Sequence, residues 1–320
     1  MRLIRALVCA ALFATAASAY AQVTKWPERP VRMVVPFAPG GGTDIVARLI
    51  GPRLHEAFGQ PFIVDNRGGA GGTLGGEILV RAAPDGYTIS LISSSYATTP
   101  ALQDLRFDPI KDVAAIGMTN SGPFFITVHP AIKAETLKDF VALARAQPGK
   151  LHYGSSGAGG TPHLAGELLA QITNTELVHV PYKGTGPSVL DLLGGRIQFT
   201  IANGPAVLNH IQAGKLRAIA VTTEKRVPSA PELPTVNEFF PGYVVLTWHG
   251  MLAPAGMPKP IVSRLHQALG QILTSAEVRK QLESMGTEAT LTSPEAFMKR
   301  ISEEIVLWTK VVKVAKVPRN

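Results

Sequence analysis

Cysteine is almost absent: the 320 residues contain one, Cys9. It lies inside an apolar run, residues 6–17, broken only by Thr15. That run is shorter than the roughly 20 residues a bilayer-spanning helix needs, and no other apolar stretch is long enough. Arg2 and Arg5 precede it and Ala19-Tyr20-Ala21 follows. A basic start, a short apolar segment and a small-x-small site read as an export signal cleaved after Ala21. Val8, before Cys9, is not the small residue that lipid attachment would want. Once the leader is removed, no thiol remains. Disulfides, thiolate metal sites and cysteine nucleophiles are then excluded, and the composition suits an oxidising compartment.

Catalytic signatures are missing as well. Gly149-Lys150 and Gly214-Lys215 are each followed by Leu, so neither makes a phosphate-binding P-loop. No G-x-G-x-x-G opens a helix in register. Gly154-Ser155-Ser156-Gly157-Ala158 lacks the closing glycine of a nucleophile elbow. The eight histidines include no H-x-x-x-H pair that would hold zinc on a helix. No metal, cofactor or catalytic residue is therefore expected, and the protein reads as something other than an enzyme. The formal net charge is +8, but Lys and Arg are scattered and not interleaved with aromatics, which argues against nucleic acid. A mild positive field would help to draw in an anion.

Short β runs alternate with helical spacings. Strands are expected at 31–37, 62–65 and 88–92, with helices at 44–58 and 77–83 between them, a βαβαβ pattern implying a parallel sheet. A second set starts near residue 116. It has strands at 124–128, 151–155, 177–181, 199–202 and 218–222, and helices at 137–146, 162–172, 188–193 and 207–213. Residues 228–241 are proline-rich and irregular. Helices at 260–273 and 275–285, and a last one begun by Ser293-Pro294, are expected to pack back on the first unit. This predicts two α/β lobes with chain crossings near 118–123 and 243–249, and a ligand cleft at their interface.

Two loops share one design. Phe37-Ala38-Pro39-Gly40-Gly41-Gly42-Thr43-Asp44 and Ser155-Ser156-Gly157-Ala158-Gly159-Gly160-Thr161-Pro162-His163 each follow an apolar strand and open a helix. Glycine allows close backbone approach to a ligand. The helix start supplies unpaired N–H groups and partial positive charge, which bind carboxylate or phosphate without Arg or Lys. Taken singly, such loops are ordinary capping turns, with Thr43, Asp44 or Thr161 as N-caps and His163 as a packing residue. One loop per lobe favours a shared anion site.

These residues carry a resemblance. The segments VVPFAPGGGTDIVAR (34–48), GQPFIVDNRGGAGGTLG (59–75), PDGYT (84–88), PGKLHYGSSGAGGTPHLAGEL (148–168), HVPYKGTGPSVLDLLGGRI (179–197) and IQAGKLRAIAVTTEKR (211–226) resemble the substrate-binding proteins of tripartite tricarboxylate transporters, the Bug family. The resemblance runs from Trp26 to about residue 316. It implies an α/β, two-lobed periplasmic binding protein fold, type II-like, with each lobe a mainly parallel sheet flanked by helices and a cleft between lobes. One lobe would take residues 22–120 and 247–320, the other 121–246. It further implies a periplasmic monomer that closes on a small carboxylate (di- or tricarboxylate, amino or aromatic acid) and serves membrane permease subunits. Carried over, the ligand contacts are Gly40, Gly41, Gly42, Thr43 and Asp44 on one side. On the other they are Ser156, Gly157, Gly160, Thr161 and His163, with Phe37, Ser94, Tyr96, Tyr182 and Asn203 as further lining. Pro39 before three glycines, and Thr161 where relatives often carry Ser, depart from the family pattern. Two alternatives stay open: a sensory subunit that presents its ligand to a receptor, and a secreted hydrolase using Ser155 or Ser156.

Overall fold

The computed structural model describes residues 25–315, together with 317 and 319. The leader expected at residues 1–21 lies outside them. Among the described residues no helix is long and apolar enough to cross a membrane.

The first unit runs β1 (Val31–Val35), α1 (Gly42–Phe58), β2 (Phe62–Asn66), α2 (Thr73–Val80), β3 (Thr88–Ser93) and α3 (Ser95–Leu102). β1 pairs in parallel with β2 and with β3, as the βαβαβ pattern requires. Pro36 has no N–H to continue the ladder, so β1 ends before it and the chain turns into the glycine loop. α1 ends at Gly59, whose φ of 71° suits a residue without Cβ and lets its N–H reach the His55 carbonyl at 2.8 Å.

The next strand, β4 (Val113–Val128), is 16 residues long and joins the two sheets. Its first part pairs antiparallel with β9 (Leu246–Pro254), bringing Ser121 opposite Trp248 and Pro123 opposite Leu246. From Phe124 onward it pairs antiparallel with β7 (Phe199–Asn203) and β8 (Arg217–Val221). The second sheet is completed by β5 (Leu151–Ser155) and β6 (Leu177–Pro181), parallel to each other and, through β5, to β7. Helices α4 (Leu137–Ala146), α5 (Thr161–Thr173), α6 (Thr185–Leu193) and α7 (Gly204–Gln212) complete that unit. Each sheet therefore has a parallel outer half and an antiparallel half made by the crossing strands. The architecture is α/β, two sheets joined by β4 as the two-lobe expectation requires.

The chain ends with α8 (Lys259–Thr274), α9 (Ala276–Ser284), β10 (Glu288–Ala289) and α10 (Pro294–Val314). The last helix is shared between the units. Phe297 and Ile301 pack with Trp248 in the first, whereas Trp308 and Val312 join the core around Phe140 and Phe199 in the second. α3 also sends Ala101 and Leu102 into the second core. Burial at these positions ties both units to the strands that cross between them.

Candidate functional site

Three helix starts are capped by side chains, whereas α2 (after Gly72) and α8 (after Pro258) are not. Thr136 and Asp139 form a reciprocal capping box at α4, Ser275 accepts from Val278 N–H at α9, and Ser293 accepts from Ala296 N–H at α10. At the seam, α1, α3, α5, α6 and α7 have no hydrogen bond from the side chain of their own cap residue. All five contribute to one cavity of about 20 Å³: Gly41, Gly42 and Thr43 from α1, Ser95 from α3, Pro162 from α5, Thr185 from α6 and Asn203 at the head of α7. Phe37, Ser93 and Ser156 complete its wall with Phe124 and Thr247 from the crossing strands. The first N–H groups of a helix have no intrahelical partner and carry its positive dipole end. Such ends make a positive potential on the cavity without a cation, since among the described residues no Lys or Arg lines it; Thr161 N–H and Ser95 N–H, at the starts of α5 and α3, are already taken by Ser95 Oγ and Ser93 Oγ.

Three polar atoms of this wall are buried with no hydrogen-bond partner among the described residues: Ser156 Oγ, Asn203 Oδ1 and Thr247 Oγ1. An unmade hydrogen bond in the interior costs about 1–3 kcal/mol, so three at one place make this cavity the candidate site. A half-turn of the Asn203 amide presents either Nδ2–H or Oδ1 to it. A Cβ on Gly42 would meet the Asn203 amide, which would have to shift.

The two units approach closely beside the cavity. Ala38 N–H donates to Lys183 O at 2.8 Å, and a Cβ on Gly186 would lie 2.3 Å from Pro39 O. α3 adds its own links to the second glycine loop. Thr161 N–H donates to Ser95 Oγ (3.1 Å), Ser94 Oγ lies 3.0 Å from Thr161 Oγ1, and Thr98 Oγ1 donates to Gly159 O (3.1 Å).

The expected site residues divide accordingly. Phe37, Gly41, Gly42, Thr43, Ser156 and Asn203 line the cavity. Ser94 and Thr161 instead bond to each other across the seam. Gly40 and Asp44 brace the first loop. The Asp44 carboxylate accepts from Gly40 N–H (3.0 Å), Asn66 Nδ2 (3.0 Å) and Arg48 Nε (3.0 Å). Burial raises its pKa, but the Arg48 side chain, the Gly40 N–H and the Asn66 amide together hold it below the usual carboxylate range. The acidic residue beside the cavity is thus paired with its own partners.

Gly157, Gly160, His163 and Tyr182 shape the second loop from behind. Gly160 N–H closes a turn onto Gly157 O (3.1 Å), and Gly157 packs on Gly71 N and Tyr182 O. Gly159 N–H donates to His163 Nδ1 (3.2 Å), which leaves the proton of the neutral ring on Nε2. His163 stacks on His179 with ring centroids 3.9 Å apart. Burial lowers His163, with the Glu167 carboxylate opposing, and burial together with His163 pushes His179 down to about 3. Both rings are therefore neutral at ordinary pH. Tyr182 gives its hydroxyl to Asp191 (2.8 Å). Tyr96 faces a second, adjoining cavity.

The hydrolase alternative needs a serine beside a base. His179 Nε2 does lie 2.6 Å from Ser155 Oγ, but Ser155 is 1% exposed and its Oγ accepts from Gly157 N–H at 3.0 Å. Ser155 holds the loop, while Ser156, which does face the cavity, has no partner. Sequence reasoning missed Ser93, Ser95, Phe124, Pro162, Thr185 and Thr247. Only Pro162 and Thr185, inside glycine-containing strand-to-helix turns, carried a local signal that could have found them.

A family profile described as tripartite tricarboxylate transporter family receptor matches residues 46–317. Protein BugT of Bordetella pertussis (strain Tohama I) is 34% identical over 319 residues, covering 98% of each chain. The solved structure of the periplasmic binding protein BugD superposes with a TM-score of 0.89 at 35% identity, covering 92% of this chain and 100% of that one. The R. palustris protein Rpa4515 with adipate superposes with a TM-score of 0.88 at 37% identity, covering 91% and 98%. The chain belongs to the receptor family of tripartite tricarboxylate transporters, a family of substrate-binding receptors.

Proposed function

We propose that this protein is an exported, periplasmic solute-binding protein that captures a small carboxylate between its two lobes and delivers it to membrane permease subunits. The observation that carries this reading is the cavity's unmet polarity: the helix starts of α1, α6 and α7, which no cap side chain bonds, and three orphaned buried polar atoms, with no Lys or Arg among the described residues that line it. The Ser156 and Thr247 hydroxyls and the free N–H groups of Gly42 to Asp44 can all donate to carboxylate oxygens. Bridging water would extend their reach. The adipate held by the 37% identical R. palustris protein supports this ligand chemistry. In the arrangement described here the cavity has room for about one water molecule. Ligand entry therefore requires the lobes to part along the seam at residues 38–41 and 183–186. Closure is then favoured by the ligand's greater affinity for the closed form.

The test is calorimetric titration of the protein with a carboxylate panel, on the unaltered chain and on Ser156→Ala and Thr247→Val. Each variant deletes one orphaned hydroxyl at nearly constant shape. Ligand-free stability should hold or rise, because a buried unsatisfied group is removed, while affinity falls by about 10-fold or more, the worth of a hydrogen bond to a charged group. If no carboxylate binds, or if both variants bind as tightly as the unaltered chain, the reading is wrong.

A further inference from the structure

The crossing strands have two faces, and a different hollow lies on each. Successive side chains of an extended strand point to opposite sides. Phe124 and Thr247 turn into the helix-lined cavity. Their neighbours Pro123 and Leu246, which pair with each other across β4 and β9, turn into a groove of about 740 Å³ behind it. One wall of the groove comes from the second unit, through Thr223 and residues 227–229. The other comes from the first unit, through Arg279 and Glu283 of α9 and residues 286–289. No residue lines both the cavity and the groove. Between the two hollows the units touch. Gly204 follows the cavity residue Asn203 and stands against the carbonyl of Met285, which precedes the groove residue Gly286. A Cβ on Gly204 has no room beside that carbonyl.

A tight contact and two crossing strands, with a cavity on one side and a groove on the other, form a fulcrum. The close-packed cores of the two units do not compress, so the units move as bodies about it. When they part at residues 38–41 and 183–186, the walls of the rear groove approach each other. The groove is therefore the space into which the opening movement runs. Building on the reading that the lobes close on a ligand, we propose that this groove sets how far they open, and that bulk lodged in it holds them closed and tightens ligand binding from a distance. A side chain that fills the groove raises the free energy of the open form alone. That loss reappears as affinity, because ligand no longer has to draw the chain out of the open state.

Ser229→Trp on one wall and Glu283→Trp on the other test this, each placing an indole in the groove from an exposed position. Calorimetric titration of the whole chain with the carboxylate panel should show both variants binding the best ligand about 5-fold or more tightly than the unaltered chain. Ser229→Ala, which adds no bulk, should bind as the unaltered chain does. Small-angle X-ray scattering should find the ligand-free Trp variants as compact as the ligand-loaded unaltered chain, and the ligand-free unaltered chain more extended. Equal or weaker binding in a folded Trp variant, or a ligand-free Trp variant as extended as the unaltered chain, would overturn the inference and leave the carboxylate reading standing. If no carboxylate binds the unaltered chain, that reading falls, and the scattering of the ligand-free chains still decides the inference.

Discussion

Gly186→Ala isolates lobe closure from folding. Gly186 is the second residue of α6 and has no positive φ, so alanine fits its backbone. Within its own unit the change is mild. Replacing glycine by alanine at a compatible helical position stabilises by about 0.4–1 kcal/mol, mainly by restricting the unfolded chain. Across the seam it is severe. The new methyl would stand 2.3 Å from Pro39 O, 2.9 Å from Gly40 C and 3.0 Å from Gly41 N, all of them backbone atoms that cannot swing aside. Relief requires the seam to open by about 1 Å, and overpacking of this kind costs about 1–3 kcal/mol. If only the closed form holds ligand, that penalty passes into the affinity, an expected loss of about 5- to 150-fold.

Two measurements on the same sample check this. Thermal unfolding without ligand should give a melting temperature equal to or above that of the unaltered chain. Titration with the tightest-binding carboxylate should give the weakened affinity, mostly as faster dissociation. Gly51→Ala is the control, since it lies within α1 of the first unit and its Cβ meets nothing closer than Phe62 O at 3.4 Å. It should leave affinity unchanged. Undiminished affinity in Gly186→Ala would show that the seam at residues 38–41 and 183–186 is not part of the bound state. A large drop in ligand-free stability would show that the seam is a permanent contact, not a moving one.

Asp44→Asn removes the charge that gathers Gly40, Arg48 and Asn66, and should cost about 1–3 kcal/mol of stability and weaken ligand binding through the displaced loop. Because the native carboxyl titrates below its usual range, its contribution is present above about pH 4 and is lost as the pH falls through the lowered native value. Denaturant titrations from pH 7 to 3 should show that limb flattened in the variant. His249, fully buried on β9 and pushed down to about 4, disfavours the native state in acid. That penalty is absent above the unfolded value near 6.5 and grows to about 3 kcal/mol by pH 4. Asn120 Nδ2 lies 3.2 Å from His249 Nδ1, so His249→Gln retains a polar partner. It should remove about one proton from the slope in that window, with His179 and His163 supplying the rest; an unchanged slope would refute the assignment. Finally, with no cation on the cavity, affinity should change by less than about 3-fold between 50 and 500 mM NaCl, with the effect confined to the association rate. A 10-fold change would mean that a Lys or Arg touches the ligand.

The glycine loops were legible because their signal is local: an apolar strand, a run of glycine, then helical spacing. The long strand β4 was legible only from residue 124. After Val113-Ala114-Ala115-Ile116 it reads Gly117-Met118-Thr119-Asn120-Ser121-Gly122-Pro123, poor in the alternation that marks a strand. What stabilises it there is distant in the chain. Asn120 Nδ2 donates to Thr287 Oγ1 (2.8 Å), and Thr287 Oγ1 donates to Ser121 O (2.7 Å). The same distance concealed Thr247 and Phe124, which reach the cavity only because β9 and β4 cross beside each other. Ser93 and Ser95 were missed by one residue in favour of Ser94. Strand alternation ends at Ser93 and α3 begins at Ser95, so the face reaching the cavity skips Ser94, whose hydroxyl turns to Thr161. α3 itself, with Pro100 inside it and few apolar repeats, gave no periodic signal.

Where the fold places its charges bears on the selectivity of the proposed site. The chain carries a formal charge of +8, yet its arginines are spent on surface pairs such as Arg226–Glu238 and Arg196–Asp191, or on bracing a loop, as Arg48 does for Asp44. Among the described residues none enters the cavity. A guanidinium would bind any carboxylate in a fixed fork. Uncapped helix starts and lone hydroxyls bind only what matches their geometry, because each donor left unmatched after closure keeps its desolvation cost. Side-chain caps on α1, α6 and α7 in the manner of α4, α9 and α10 would stabilise the ligand-free chain and fill the cavity with its own side chains, so the proposed binding of an anion there depends on their absence.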